Sequence, residues 1–455
     1  MYRSGVVSLR SKLSRLAPPI APLPPPSPTT LDDLRARMHA VLERHAKQSP
    51  IPEKPPVDDS ELPFAKTETE RGPLWTRTLV LSAAHRTGRA PLLPARSSSA
   101  HVLALLALDP TLAECDPAGA LYLDTETTGL HGGTGTVAFL VGLAFWDADG
   151  ESARSADRST PGANGGITVE QILVRNLGEE EPMLAHVAAR IAKASMLVTF
   201  NGKSFDLPLL RTRFVMARLP APREPPHLDL LHVARRLHKP RGVECKLTTI
   251  ERDVLGFERV DDVPGSEVSA CYLHFLRSGD VRGLLGVVEH NAWDVVAMAA
   301  LVGLYGEPLE GTQLDARDLV GVARTMKRAG AGDEAWSAIE VAVANGAGDD
   351  SLRARAEIAK ARGDRARALA DFETLASAVD DAKVRLELAK LYEHFVRDPA
   401  RALTVVERGT GEGDAALAKR RARLETKRAR AFSGQPVIPG LEPSRLSALP
   451  SRRRR

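Results

Sequence analysis

The chain has 455 residues, and at about 150 per domain two or three domains are expected. Its 43% hydrophobic and 26% charged residues suit a globular chain. The longest uncharged apolar runs, Val137 to Trp146 and Val295 to Leu304, are ten residues each, against the ~20 of a bilayer span, so no membrane partner is expected.

Three separated cysteines, Cys115, Cys245 and Cys271, without CxxC spacing, exclude a disulfide framework and a cysteine-based zinc site. They fit a reducing compartment, and a cytoplasmic location is the expectation. The net charge of +4 is unevenly spread: residues 411–455 hold twelve Lys/Arg and four Asp/Glu, so the other 410 residues sum to −4. A basic end of this kind suits a polyanion or a solvated tail.

In chain order, residues 17–28 hold seven prolines, which remove amide donors and fix φ, so residues 1–60 read as a disordered Pro-rich segment. Residues 61–116 read as an extension packed on the next domain. Trp75 to Leu81 alternates like a strand there, and Ser98 to Leu108 like a short helix. Strands are expected at Ala120 to Asp124, Thr136 to Trp146 and Thr168 to Arg175, forming a three-stranded antiparallel unit. A helix from Glu180 to Lys193, a strand from Met196 to Phe200 and a helix from Lys203 to Ala217 follow. A short strand near His227 to Asp229 leads into helix up to Tyr305. This order predicts an α/β mixed sheet, three antiparallel strands then βαβ, over residues 117–308.

Beyond Leu309 the pattern changes period. Ala335-Trp-Ser-Ala-Ile-Glu340 returns as Ala368-Leu-Ala-Asp-Phe-Glu373 and Ala402-Leu-Thr-Val-Val-Glu407, at offsets of 33 and 34 residues. The spacing resembles tetratricopeptide repeats, so residues 312–410 are predicted to be an all-α helical-repeat domain docked on the sheet domain. Residues 411–455 are expected to be a basic, largely disordered tail.

Three short motifs carry chemistry. In Leu121-Tyr-Leu-Asp124-Thr-Glu126, strand spacing places both carboxylates on one face, where each raises the cost of ionising the other unless a cation lies between them. Asp206 follows a buried strand and opens a helix. His290 and Asp294, four apart, share a helix face. Four carboxylates and one imidazole at the edge of one sheet form the site expected for two-metal phosphodiester hydrolysis with Mg²⁺ or Mn²⁺. Asn201 and Lys203, with Thr127, are candidate substrate contacts. Asp229 reads as a helix cap, and His227, His232 and His238 lack ligand spacing.

These motifs resemble the DEDD superfamily of 3′–5′ exonucleases with a ribonuclease H-like fold, and more closely the YprB-type ribonuclease H-like domain family. The likeness covers roughly Leu121 to Leu304. It rests on LDTETTGLHGGTGTVAFLVGLAF, LVTFNGKSFDLPLLRTRF, HLDLLHVARRL, GFERVDDVPGSEV and EHNAWDVVAMAAL. The resemblance implies that Asp124, Glu126, Asp206 and Asp294 bind two metal ions, and that His290 is the general base. The histidine stands at the three-residue separation of tyrosine-type members, whereas histidine-type members use four. Nucleic acid is the implied partner, with a protein partner expected on the repeats. The alternative is a non-catalytic nucleic-acid-binding or scaffold protein that recruits a partner through its repeats.

Overall fold

The computed structural model describes residues 62–129, 134–146 and 166–432. The Pro-rich segment, the core of the Gly-rich turn after Gly129, most of the loop after Trp146 and the end beyond Phe432 lie outside the described residues.

Strands β1 (Ala65–Thr69) and β2 (Gly72–Leu81) lead into a two-residue hairpin, β3 (Arg86–Thr87) and β4 (Ala90–Pro91), and helix α1 (Ala100–Ala107). Then come β5 (Ala120–Thr127), β6 (Ala138–Trp146), β7 (Ile167–Leu173), α2 (Glu180–Lys193), β8 (Met196–Thr199), α3 (Asp206–Met216), β9 (His227–Asp229) and α4 (Leu230–Leu237). Two further helices, α5 (Val268–Ser278) and α6 (Arg282–Tyr305), complete the α/β part. The main sheet has seven strands in the order β1-β2-β7-β6-β5-β8-β9. β5, β6 and β7 pair antiparallel as expected, while β8 and β9 add in parallel beside β5. The sequence did not foresee that β1 and β2 join this sheet, with β2 paired to β7 along its length. Residues 61–116 therefore extend the sheet and do more than pack on it.

Alternation along β5 sorts the core. Leu121 and Leu123 face α2 and α3, packing with Val187, Leu207 and Phe214. Ala120 and Tyr122 face the layer of α4 and α6. Asp124 and Glu126 continue the Tyr122 row, so their side chains lie under α6. At 24 residues α6 is long and apolar enough to cross a bilayer, but most of its apolar stretch is buried inside the protein. It is a central core helix, apolar nearly all round because it is covered nearly all round.

Helices α7 (Ala316–Arg328), α8 (Gly332–Ala344), α9 (Asp349–Ala361), α10 (Arg365–Ala378), α11 (Ala382–Leu391) and α12 (Pro399–Glu407) form three successive pairs. The repeating alanines Ala335, Ala368 and Ala402 sit in the second helix of each pair, wholly buried, where a larger side chain would part the helices. The turns repeat too: Gly330 and Gly363 have φ of 85° and 86°, and Arg397 takes the same left-handed conformation at 60°. The first pair shares a core with the sheet domain, Leu319 and Val322 packing with Leu237 and Leu304. Buried Asp318 of α7 accepts from Arg241 at 2.5 and 3.0 Å and lies 2.9 Å from His238 Nδ1. Residues 414–432, expected in a disordered tail, form helix α13 (Asp414–Phe432), whose Leu424 is buried in the repeat core.

Candidate metal and acid–base site

The site is assembled where β5 and β8 end. Asp124 and Glu126 come from β5, Asp206 from the first turn of α3, and His290 and Asp294 from one face of α6. Ligand atoms of Glu126, His290 and Asp294 lie within 4.8 Å of one another. Asp206 enters from the opposite helical layer; its Oδ1 accepts from Thr125 Oγ1 at 2.6 Å, which ties α3 to the non-acidic face of β5. All five expected residues are thus brought to one sheet edge.

The electrostatics are those of trapped like charges. Burial, reinforced by Asp294, Glu126 and Asp206, holds the Asp124 carboxyl well above the usual range. Burial and then Asp294 push Glu126 up to about 8, against the pull of His290 and Arg259. Asp206 is raised by burial to about 6 although the Thr125 bond favours its charged form. A like-charged, partly desolvated carboxylate set is stabilised by a cation placed among its oxygens. Oxygen donors with a single imidazole suit a hard divalent ion such as Mg²⁺ or Mn²⁺.

A layer that sequence reasoning missed holds these groups in place. Arg259, almost fully buried, binds Glu251 through Nε and Nη2 at 2.7 Å each, and Nη2 also donates to Asp294 Oδ1. Burial opposes its charge, but Asp294 and Glu251 keep it firmly cationic. His290 Nδ1 lies 2.6 Å from Asp262 Oδ1, while Nε2 lies 3.5 Å from Asp294 Oδ2. Arg259 Nη1, which can only donate, stands 3.2 Å from the same Nδ1, so that nitrogen lies between a donor and the closer Asp262 acceptor. When it donates to Asp262, the Nε2 lone pair faces the acids. Burial works to lower the imidazole pKa, but Asp294, Glu126 and the Asp262 bond outweigh it, and the net shift is upward.

Asp124 is oriented by a chain of amides. Arg77 can only donate, so Gln171 Oε1 accepts from its Nη1 at 3.0 Å. That turns Gln171 Nε2 toward Asn291 Oδ1 at 3.0 Å and Val288 O at 2.7 Å. Asn291 Nδ2 is left to donate to Asp124 Oδ2 at 2.9 Å. Gly142, the partner of Asp124 across the ladder, makes room for this: a Cβ there would lie 2.3 Å from Asn291 Oδ1.

Of the three expected substrate contacts, Lys203 is exposed, its Nζ 3.9 Å from Asp109, and Asn201 holds a left-handed turn at φ 75°. Thr127 is buried and gives its hydroxyl to Gly129 O. Asp229 caps α4 through Leu231 N and also accepts from the amides of Asn201 and Lys203, fixing the β8–α3 turn. Arg259 and Asp262 lie in GFERVDDVPGSEV and Asn291 in EHNAWD, so their signal was present without an assigned role.

Residues 121–305 match the RNase_H superfamily. The chain is 36% identical over 182 residues to the "Uncharacterized protein YprB" of Bacillus subtilis (strain 168), which covers 40% of this chain and 40% of that protein. The chain thus spans less than half the length of the curated relative it matches.

Proposed function

Taking residues 121–305 as a ribonuclease H-like domain, we propose that the protein is a metal-dependent nuclease, specifically a 3′–5′ exonuclease. The observation that carries this reading is the meeting of Glu126, His290 and Asp294 within 4.8 Å, beside Asp124 and Asp206. The direction of cleavage rests on the resemblance of the three motifs to DEDD exonucleases.

Asp124, Glu126, Asp206 and Asp294 would hold two Mg²⁺ or Mn²⁺ ions, which would supply Lewis-acid polarisation and neutralise charge on the leaving oxygen. His290 would take a proton from the attacking water at Nε2 in the tautomer whose Nδ1 donates to Asp262. Arg259, anchored by Glu251, holds Asp294 in place, and Asn291 fixes the Asp124 carboxylate. Exposed Lys203, in the β8–α3 turn just ahead of Asp206, would meet a substrate phosphate.

The test uses 5′-end-labelled DNA and RNA with Mg²⁺ or Mn²⁺. Stepwise shortening from the 3′ end, lost in Asp124→Asn, is the expected result. Internal cuts would overturn the exonuclease reading, and no cleavage of any substrate would leave the scaffold alternative.

A further inference from the structure

The helical stack carries a charged wall that the carboxylate site does not use, built chiefly by α7, α9, α11 and α13. One hollow of about 650 Å³ is bordered by Lys327, Arg353, Lys360 and Lys383, with Glu357 and Glu387 as its acids. A second, of about 400 Å³, shares Lys360 and adds Arg365, Lys390, Arg420 and Arg423, with no carboxylate on its rim.

Nearby acids do not balance this wall. Arg353 is paired with Asp381 at 2.6 Å, and Glu387 is shared by Lys360 and Lys390. Buried Glu393 takes Arg423 and Lys427 at 2.7 Å and Arg420 at 3.5 Å, leaving that cluster cationic even with Glu412 beside Arg420. Lys327, Arg365 and Lys383 form no ion pair among the described residues. Arg365 and Lys383 lie in the first turns of α10 and α11, after the Asp364 and Asp381 caps, whose carboxylates accept from first-turn amides.

We propose that this wall binds the phosphate backbone of a nucleic acid, so that the repeats hold the substrate chain that the carboxylate site trims. The proposal deepens the nuclease reading and rests on it for the identity of the substrate. Repeated cations along a groove match a regularly charged polyanion. With Phe395 the large aromatic side chain exposed beside the second hollow, contacts are to phosphate, and binding is independent of sequence. The repeat region as a whole carries mixed charge, which suits the protein partner expected there, whereas cations outnumber acids around the two hollows.

The experiment measures anisotropy of a labelled 30-nucleotide oligo-dT with the full chain in EDTA, where metal-dependent cleavage is silent. Arg365→Glu/Lys383→Glu should weaken binding about tenfold or more and reduce the salt slope by about 2. Both changes put acids at helix N-termini, so the fold is favoured and circular dichroism should be unchanged. The same charge change at exposed Lys193 and Lys239 of the sheet domain should alter binding less than twofold. With Mg²⁺, the groove variant should raise KM for the 30-mer and leave kcat and cleavage of a tetranucleotide unchanged. Wild-type affinity in the groove variant would overturn the proposal. Equal competition by a poly-glutamate peptide would assign the groove to an acidic protein segment. Strong, groove-dependent binding without cleavage would sink the nuclease reading and leave the groove standing.

Discussion

The carboxylate site and the repeat groove each concentrate one sign of charge, and they do so under opposite constraints. In the site, acids are packed under α6 with little water, and Asp124, Glu126 and Asp206 resist ionisation. In the groove, cations on separate helices outnumber the acids between them and stay in contact with solvent. Unmet negative charge in a small, rigid space calls for a compact cation; unmet positive charge spread along a solenoid calls for an extended anion. The two regions differ in rigidity as well. The site is fixed by interlocked donors from β2, β7 and α6, whereas the groove needs only that its helices stack.

The comparison breaks most sharply at the acids. Asp124→Asn/Glu126→Gln should reduce metal-dependent cleavage about a thousandfold or more, since metal charge stabilisation is worth several kcal/mol. The same change should raise the melting temperature in EDTA, because a buried repulsion is removed. A fall in melting temperature there would show that the acids are satisfied without a cation.

The orienting chain gives the next effect. Gly142→Ala drives a methyl into Asn291 and should lower metal affinity about 10–100-fold while the melting temperature changes little. Unchanged Mn²⁺ affinity would dismiss the Arg77–Gln171–Asn291 relay as a determinant of the site.

Acidity sharpens the contrast further. Glu126 is raised to about 8 and Asp206 to about 6 in the folded chain, against ~4.3 and ~3.9 unfolded. The native state therefore binds more protons across this window, and stability falls as pH rises. In EDTA the melting temperature should decline between about pH 5 and pH 8. Saturating Mg²⁺ should flatten that decline, and at 100 times Kd should add about 2.7 kcal/mol. A rise toward pH 8 in EDTA would contradict the assignment.

The smallest effect lies in the repeats. Arg397 pays the left-handed strain that Gly330 and Gly363 avoid, so Arg397→Gly should stabilise the protein by roughly 0.5–1 kcal/mol in a urea titration, leaving cleavage untouched.

Much of this was legible because it is periodic. Strand alternation put Asp124 and Glu126 on one face, helix spacing paired His290 with Asp294, and the 33- and 34-residue offsets marked the repeats. What escaped has no period. Arg259 and Asp262 sit in an irregular loop whose partners, Glu251, Asp294 and His290, are set by tertiary folding. Gly142 reads as any strand glycine until Asn291 is seen to fill its space. β1 and β2 were missed as part of the sheet because β7, the strand on which β2 pairs, lies about 90 residues downstream, and β1 joins only through β2. The order of α13 was hidden by its charge, since its buried Leu424 is outnumbered by surface arginines.

Titration of the full chain with Mn²⁺ by calorimetry at pH 7.5 probes the central claim most directly. Saturable binding should be seen in the wild type, be lost in Asp124→Asn/Asp294→Asn, and occur over the same concentration range that supports oligonucleotide cleavage. Equal Mn²⁺ binding by the double variant, or no binding by the wild type, would contradict the account.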